Sequence, residues 1–235
     1  MNIIDLHTHT VSSGHAYSTL EENVKGALRR DIKVLGMSDH ASTMPGGPHN
    51  FHFQNLKVIP DHIEGVRILK GIEANIIDYI GNIDVETSLL KKLDYVIASL
   101  HPPVLEPGTL EENTNTILKV MANPLVTIIG HPDDGRYPLD YEKVVLKAKE
   151  TNTLLEINNS SLKPTGSRVG TRENSLRLLE LCKEHQVPVL FGSDAHISYS
   201  IGAFEECVKL TELINFPKSL IINNDLRQLK KYIKL

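Results

Sequence analysis

The sequence has little of several residue types on which common protein classes depend. Among 235 residues there are two cysteines, no tryptophan and only 5% aromatic side chains. Two cysteines cannot build a disulfide framework, so we expect a reducing compartment. Lys and Arg number 25 against 29 Asp and Glu, which gives a net charge of −4. A surface that neutralises phosphates along a nucleic acid duplex is therefore not expected.

Long hydrophobic runs and targeting signals are also missing. The first residues, Met-Asn-Ile-Ile-Asp, contain no basic stretch followed by a long apolar one, so no signal peptide is predicted. Nor does any apolar run approach the length that crosses a bilayer. We therefore expect a cytoplasmic protein without a membrane partner. Its length suits one domain of barrel size, predicted to span residues 1–235.

Short apolar runs alternate along the chain with segments of helical pattern. The predicted strands are residues 3–6, 34–38, 68–75, 95–100, 126–130, 154–159 and 188–192. The predicted helices are residues 19–30, 88–93, 110–122, 141–149, 173–185, 204–214 and 224–233. A stretch rich in Gly and Pro, residues 42–54, is predicted to be a mobile loop. Strands that alternate with helices predict parallel βαβ units, and nearly continuous apolar runs predict strands covered on both faces.

Histidine is the residue type whose positions carry most information. His7 and His9 lie two residues apart in a strand and therefore share one face. Nine candidate metal ligands lie at or just after predicted strand ends, with His15 in a following turn: His7, His9, His15, His40, Glu73, His101, His131, Asp194 and His196. They follow six of the seven strands, and only a closed ring brings so many strand ends to one point. The predicted fold class is therefore an α/β barrel with its site at the C-terminal strand ends.

Imidazoles and carboxylates together suit zinc, manganese or iron, and nine ligands are too many for one such ion. The alternative is that each histidine is an ordinary hydrogen-bonded side chain. That reading must account independently for seven of the eleven histidines, so we favour two or three cations. The other four histidines, His49, His52, His62 and His185, are interpreted as solvated or as loop residues; the first two could touch a substrate.

For several further side chains, the sequence allows both a functional and a purely structural role. Asp5 and Asp39 could accept hydrogen bonds from metal-bound imidazoles, although Asp39 could equally be a turn residue. Arg136 and Arg168 follow the fifth and sixth strands and could bind phosphate oxygens, but lone loop arginines are more often surface residues. Ser160 and Ser161 stay unassigned. No Gly-rich phosphate loop, nucleophile elbow or Cys-x-x-Cys motif offers a competing chemistry.

Taken together, the motifs resemble those of the PHP (polymerase and histidinol phosphatase) superfamily, and most closely its YcdX-like phosphatases. They are His-Thr-His, Ser-Asp-His, Gly-Ile-Glu, Ser-Leu-His-Pro, Gly-His-Pro and Gly-Ser-Asp-Ala-His, and the likeness runs from Met1 to about Phe216. The resemblance implies a distorted seven-stranded, TIM-like barrel that binds three zinc or manganese ions. It implies one ion at His7, His9, Glu73 and Asp194, a second at Glu73, His101 and His131, and a third at His15, His40 and His196.

The resulting hypothesis is a metal-dependent phosphatase that hydrolyses a phosphomonoester by a metal-bridged hydroxide at a trinuclear site. We expect three divalent cations, zinc first and manganese or iron as alternatives. Glu73, Asp194 and His196 are the catalytic candidates, and Arg136 and Arg168 the substrate-binding ones. The alternatives are a phosphodiesterase or nuclease acting on short nucleic acid, which the lack of a basic, aromatic track disfavours, and a non-catalytic metal-binding module. Partners are expected to be a small phosphorylated substrate and further copies of the chain.

Overall fold

The computed structural model describes residues 3–234; Met1, Asn2 and Leu235, at the ends of the predicted domain, lie outside them. The strands are β1 (Ile4–Asp5), β2 (Val34–Met37), β3 (His62–Ile63), β4 (Val66–Lys70), β5 (Glu73–Asn75), β6 (Ile97–Ser99), β7 (Ile128–Ile129), β8 (Leu154–Asn158) and β9 (Val189–Gly192). The helices are α1 (Leu20–Arg29), α2 (Asn50–Asn55), α3 (Thr87–Leu90), α4 (Leu110–Met121), α5 (Tyr141–Thr151), α6 (Thr171–His185), α7 (Glu205–Leu213) and α8 (Leu226–Leu229).

The strands form two sheets, parallel except for β3, and single bridges join these sheets into a distorted ring. One sheet has the order β1-β2-β4-β3 and the other the order β5-β6-β7-β8-β9. β4 and β5 are consecutive pieces of one strand position, and a parallel bridge from His40 to Glu73 connects β2 to β5. A second bridge, from Thr8 to Ala195, connects the ends of β1 and β9. The α/β barrel predicted from the sequence is therefore confirmed, with seven strand positions around the ring.

Between β1 and β9, backbone pairing within the described residues is reduced to the single bridge from Thr8 to Ala195. Near the C-terminal ends, the His9 amide donates to the carbonyl of Ala195 at 2.9 Å. Near the N-terminal ends, the side chain of Asn223 lies between the two strands. Its Nδ2 donates to the carbonyls of Ile4 and Phe191, each at 2.8 Å, and its Oδ1 accepts from the Phe191 amide at 2.7 Å. A buried amide side chain thus replaces backbone pairing there.

Apolar side chains fill the space on both sides of the strands. The larger cluster lies between the strands and the helices and includes the buried thiols of Cys182 and Cys207, as the helical patterns predicted. The smaller cluster comes from alternate strand residues such as Ile97, Ile128 and Leu190, and it includes Tyr95. The Tyr95 hydroxyl donates to the Leu6 carbonyl at 2.6 Å. The lower interior is therefore a packed core, which confines polar chemistry to the C-terminal strand ends.

Four predictions about elements need correction. The loop predicted over residues 42–54 contains α2. His49 caps this helix by accepting from the Phe51 amide, and the Phe53 side chain of the helix is buried. The strand predicted over 68–75 is broken between β4 and β5. The last helix, predicted over 224–233, is regular only over Leu226–Leu229. His62, predicted to be in or beside a helix, lies in β3, which pairs antiparallel with β4.

None of the helices in residues 3–234 is both long and apolar enough to cross a membrane.

Two of the outer helices begin with reciprocal capping, as the sequence pattern around Thr19 indicated. Thr19 caps α1 together with Glu22, and Thr109 caps α4 together with Glu112. Each pair satisfies two backbone donors that a helix start otherwise leaves free. The helices are therefore well defined where they leave the ring.

Candidate metal centre

The nine candidate ligands lie together at one end of the ring. Seven of them are buried, whereas His196 is half-buried and His15 is exposed. Their imidazole rings pack against one another: the ring centroids of His9 and His196 are 4.3 Å apart, and those of His15 lie 5.0 Å from His40 and 4.8 Å from His196. Side chains that are far apart in the sequence therefore converge because the strand positions that carry them end at the same side of the ring.

Glu73 is at the centre of the cluster. Its Oε1 lies 3.3 Å from Nε2 of His7, 3.3 Å from Nε2 of His101 and 3.1 Å from Nε2 of His131. Its Oε2 lies 2.6 Å from Nδ1 of His40 and 3.6 Å from Nε2 of His9. Both carboxylate oxygens thus face imidazole nitrogens, as a carboxylate that bridges cations requires.

Asp194 closes the other side of the cluster. Its Oδ1 lies 3.3 Å from Nε2 of His9, 3.5 Å from Nδ1 of His196 and 3.6 Å from Nε2 of His7. Asp194 has a backbone φ of 51° and His131 one of 27°, both in the left-handed region that non-glycine residues rarely adopt. Strained backbone just after β7 and just after β9 is typical of residues held in place for function.

Hydrogen bonds from Nδ1 to an acceptor orient three of the rings directly. The Nδ1 atoms of His7, His101 and His196 lie 2.7 Å from Glu156 Oε1, 2.8 Å from Asn75 Oδ1 and 3.0 Å from the Asp194 carbonyl. Each partner is an acceptor, so Nδ1 carries the proton and Nε2 keeps its lone pair. Metal-binding histidines are usually held in this way.

His9 is oriented through a serine. The Ser13 hydroxyl donates to Asp39 Oδ1 at 2.6 Å and lies 3.2 Å from Nδ1 of His9. The single hydroxyl hydrogen goes to the carboxylate, so Nδ1 of His9 must be the donor in the second contact. Asp39 therefore acts on His9 through Ser13. Asp39 was expected to accept directly from a metal-bound imidazole, but the contact with His9 runs through the Ser13 hydroxyl.

Unpaired buried atoms provide the test of whether this cluster fits metal ions. Within the described residues, the buried atoms without a hydrogen-bond partner include Nε2 of His7, His9 and His101, Nδ1 of His40 and Oε2 of Glu73. Leaving such groups unpaired costs about 1–3 kcal/mol each, so native proteins rarely do it. Because all five point into one cluster, divalent cations fit as their missing partners.

The potential ligand atoms also fall into three compact groups. Within each group these atoms lie within 4.8 Å of one another, and the groups are His7, His9 and Asp194; His9, His40 and His196; and His40, Glu73 and His101. The first matches part of a set that the family resemblance implies. In the second, His9 takes the place expected for His15. His40 belongs to two groups because its ring lies between His196 and Glu73.

The electrostatics among the cluster's own side chains differ from one group to the next. Burial alone would lower the pKa of His7, but the carboxylates of Glu156, Glu73 and Asp194 outweigh it and hold the pKa well above the usual value, so a metal ion must displace a proton there. Burial alone would raise the pKa of Glu73, but the imidazoles of His7, His40 and His101 outweigh it, and the pKa falls well below the usual value. Burial and two neighbouring rings lower the pKa of His9 to about 3, and burial lowers that of His101 to about 4. The carboxylate is thus ionised and these two imidazoles are neutral at neutral pH.

Glu156 is the main residue that sequence reasoning missed. Its Oε1 accepts from His7 Nδ1, and its Oε2 accepts from the His131 amide at 2.7 Å. A Cβ atom at Gly192 would lie 1.7 Å from Glu156 Oε1, so only glycine leaves room for this carboxylate. The available signal was a charged residue inside the apolar strand Leu-Leu-Glu-Ile. Its position within the strand, rather than after it, hid its role.

Asp5 behaves differently from the prediction. It was expected to accept from a metal-bound imidazole, but its oxygens accept from the backbone amides of Ser193, at 3.3 Å, and Gly202, at 2.8 Å. Within residues 3–234, these two loop amides and not an imidazole are the hydrogen-bond donors to its carboxylate. The interpretation of His185 as solvated also needs correction, since it is half-buried.

A cavity of about 450 Å³ opens above the cluster. His15, His40, His101, Asp194 and His196 line it from below, and Arg136, Arg168, Ser160 and Ser161 line its walls. Arg168 donates from Nη1 and Nη2 to Asp194 Oδ2, each at 3.1 Å. Arg136 instead pairs with Asp134, with Nη2 2.6 Å from its Oδ2. Both arginines therefore face the cavity, but Arg168 is held by Asp194 and Arg136 by Asp134.

Comparison with known proteins agrees with these observations. A family model described as the PHP domain matches residues 5–226. A probable phosphatase of Clostridium novyi is 50% identical over 232 residues, which cover 99% of this chain and 94% of the relative. A probable phosphatase of Acetivibrio thermocellus is 44% identical over 232 residues, covering 99% and 95%.

Two solved structures share the fold. The histidinol phosphate phosphatase of Lactococcus lactis, determined with zinc, L-histidinol and phosphate, superposes with a TM-score of 0.62 at 17% identity, covering 92% of this chain and 95% of the other. A chain of an archaeal ribonuclease P bound to mature tRNA has a TM-score of 0.56 at 16% identity, covering 90% and 82%. With a family match over nearly its whole length and relatives this similar, the chain belongs to the PHP domain family.

Proposed function

We propose that this protein is a metal-dependent phosphatase that hydrolyses small phosphomonoesters. The observation that carries the proposal is the set of unpaired, buried imidazole nitrogens around Glu73, which lies beneath a cavity of about 450 Å³. A cavity of that volume suits a small molecule. The relatives named as probable phosphatases support the same reaction class.

The proposed metal complement is three divalent cations, with zinc expected first and manganese or iron accepted by the same ligand types. The proposed ligands are His7, His9, His15, His40, Glu73, His101, His131, Asp194 and His196. The buried groups around Glu73 and Asp194 support two positions. The stacked rings of His15, His40 and His196 at the cavity support the third.

When bound, such cations lower the pKa of a coordinated water and offset the charge of phosphoryl oxygens. The chain itself contributes positioning. Of the proposed catalytic residues, Asp194 and His196 line the floor of the cavity, and Glu73 is buried beneath it. Arg168 holds Asp194 in place and is itself only 16% exposed, so its guanidinium stays fixed beside the position where a phosphoryl group would enter. His15 and His196 form the more open side through which substrate and water exchange.

The test is release of phosphate from 4-nitrophenyl phosphate by the purified protein, before chelation, after chelation and after return of zinc or manganese. We expect activity to disappear with the metal and to return with it. His101→Ala should lower both the bound metal content and the activity, whereas His62→Ala, at an exposed site in β3, should change neither. Activity that is indifferent to metal removal contradicts the proposal.

The same assay separates the alternatives. A mononucleotide, a cyclic diester and single-stranded DNA should be compared as substrates. Preferential cleavage of either diester would replace the phosphomonoesterase by a phosphodiesterase. Metal binding that raises the melting temperature without turnover of any ester would instead indicate a metal-binding module.

A further inference from the structure

The charged side chains that line the cavity are unequal in sign. Apart from the histidines, the charged lining residues within residues 3–234 are Arg136, Arg168 and Asp194. The carboxylate of Asp194 is fully engaged: Oδ2 accepts two hydrogen bonds from Arg168, and Oδ1 faces His7 and His9. The lining therefore has no carboxylate available to pair with a cationic group of a substrate.

Arg136 presents its positive charge to the cavity. Its Nε lies 3.0 Å from each carboxylate oxygen of Asp134, and its Nη2 lies 2.6 Å from Oδ2. The Asp134 side chain is 4% exposed, whereas that of Arg136 is 34% exposed. The carboxylate is thus buried behind the guanidinium and fixes its plane, and Nη1 has no hydrogen-bond partner among the described residues. Nη1 and the outer edge of the guanidinium remain open to a ligand.

Arg136 and Arg168 therefore serve different parts of a substrate. Arg168 contacts Asp194 directly and belongs to the metal centre, but none of the side-chain contacts of Arg136 involves a candidate metal ligand. Part of the cavity wall is apolar, formed by Met44, Pro45, Leu100, Pro102 and Pro103. A leaving group with a hydrocarbon body can pack against this wall while its far end reaches Arg136.

We propose that the preferred substrates are phosphomonoesters whose leaving group carries a second anionic group, a carboxylate or another phosphate, bound by Arg136. This rests on the proposed phosphatase activity. A guanidinium held in a plane by a buried carboxylate is preorganised for a planar or tetrahedral oxyanion. An amine at the same position would meet the exposed guanidinium, because the Asp134 carboxylate lies buried behind it, so aminated leaving groups are disfavoured.

The experiment uses zinc- or manganese-loaded protein and four aryl phosphates of similar size. They are phenyl phosphates with a para carboxylate, a para carboxamide or a para aminomethyl group, and 1,4-phenylene bisphosphate. For wild type we expect kcat/KM for the carboxylate or the bisphosphate to exceed that for the carboxamide by about tenfold, with the aminomethyl ester lowest. The larger of the two anionic preferences identifies whether a carboxylate or a phosphate is bound.

Arg136→Gln should bring the ratio of carboxylate to carboxamide close to one, chiefly through KM, and Arg136→Lys should keep part of it. Comparing the same pair of esters in each variant cancels their different intrinsic reactivity. Arg177→Gln, at an exposed site on α6, is the matched control and should leave the ratio unchanged. Calorimetric titration with 4-hydroxybenzoate and 4-hydroxybenzamide gives the same comparison without turnover, also for a variant of reduced activity.

The outcomes are distinguishable. Hydrolysis of all four esters with neither the carboxylate nor the bisphosphate preferred over the carboxamide, or a preference that Arg136→Gln leaves intact, overturns the assignment of Arg136 but not the phosphatase. Absence of hydrolysis of every ester by the metal-loaded wild type overturns the phosphatase itself and this inference with it.

Discussion

Oε1 of Glu156 lies 2.7 Å from Nδ1 of His7, and neither side chain is exposed to solvent. The contact fixes the proton of His7 on Nδ1 and leaves Nε2 facing Glu73 and Asp194. The same carboxylate also accepts from the His131 amide. One side chain in β8 therefore orients two histidines that follow two other strands, which makes it a positioning residue for the whole centre.

Glu156→Gln should weaken metal binding by about 10- to 100-fold, the usual effect of losing the carboxylate behind a ligating histidine. A glutamine amide cannot accept from both His7 and His131, because one of its two ends is a donor. Chelator competition with a zinc indicator measures the affinity. Glu184→Gln, at an exposed site on α6, is the control, and equal affinities for the two variants would contradict the role assigned to Glu156.

Ser13→Ala should also weaken metal binding, by roughly tenfold. The substitution removes the acceptor of His9 Nδ1 and one donor to Asp39, so the proton of His9 is no longer held on Nδ1. Ser12→Ala is the matched control, since no hydrogen bond within residues 3–234 connects its hydroxyl to the cluster. The measurement is metal affinity together with the histidine ring signals in NMR, which report the tautomer. An unchanged His9 tautomer in Ser13→Ala would contradict the prediction.

Gly192→Ala should displace the Glu156 carboxylate, because the new Cβ atom would lie 1.7 Å from Oε1. We expect a loss of about 2 kcal/mol or more in the free energy of unfolding, as for other overpacked cores. The check is a double-mutant cycle with Glu156→Ala, followed by denaturant unfolding. The cost of Gly192→Ala should shrink when the carboxylate is absent, and strict additivity would show that the two sites do not interact.

Asn223→Ala should destabilise the ring by several kcal/mol, since it leaves the Phe191 amide and two strand carbonyls without partners at about 1–3 kcal/mol each. Asn224→Ala, its neighbour, provides the control and should stay close to wild type. Denaturant unfolding of both variants measures the difference. A loss of less than 0.5 kcal/mol for Asn223→Ala would mean that water or backbone pairing replaces the side chain.

The sequence was sufficient to predict the barrel and the convergence of the nine candidate ligands, because parallel strands in a closed ring all end on the same face of the barrel. It was not sufficient for residues whose role depends on contacts between strands. Glu156 looks like an ordinary strand residue until its neighbours His7 and Gly192 are known. Asn223 likewise follows an unremarkable apolar run, and its place between β1 and β9 depends on how the whole ring closes.

The break between β4 and β5 has a similar origin. A Cβ atom at Gly71 would lie 2.3 Å from the Tyr95 ring, so the chain must pass close to this side chain before Glu73 begins the next strand. Helix α2 was hidden because the Gly- and Pro-rich pattern of residues 44–50 indicated only a loop. Local pattern thus predicts what a segment prefers, whereas tertiary packing determines where it bends.

The bridge between Thr8 and Ala195 has one more consequence, which follows from its neighbours in the chain. His7 and His9 flank one side of the bridge, and Asp194 and His196 flank the other. Cations shared by these four side chains would therefore cross-link the first and last strands where backbone pairing is sparsest. Slow amide hydrogen exchange at His9 should then depend on metal, so that occupancy of the centre and opening of the barrel wall are a single equilibrium.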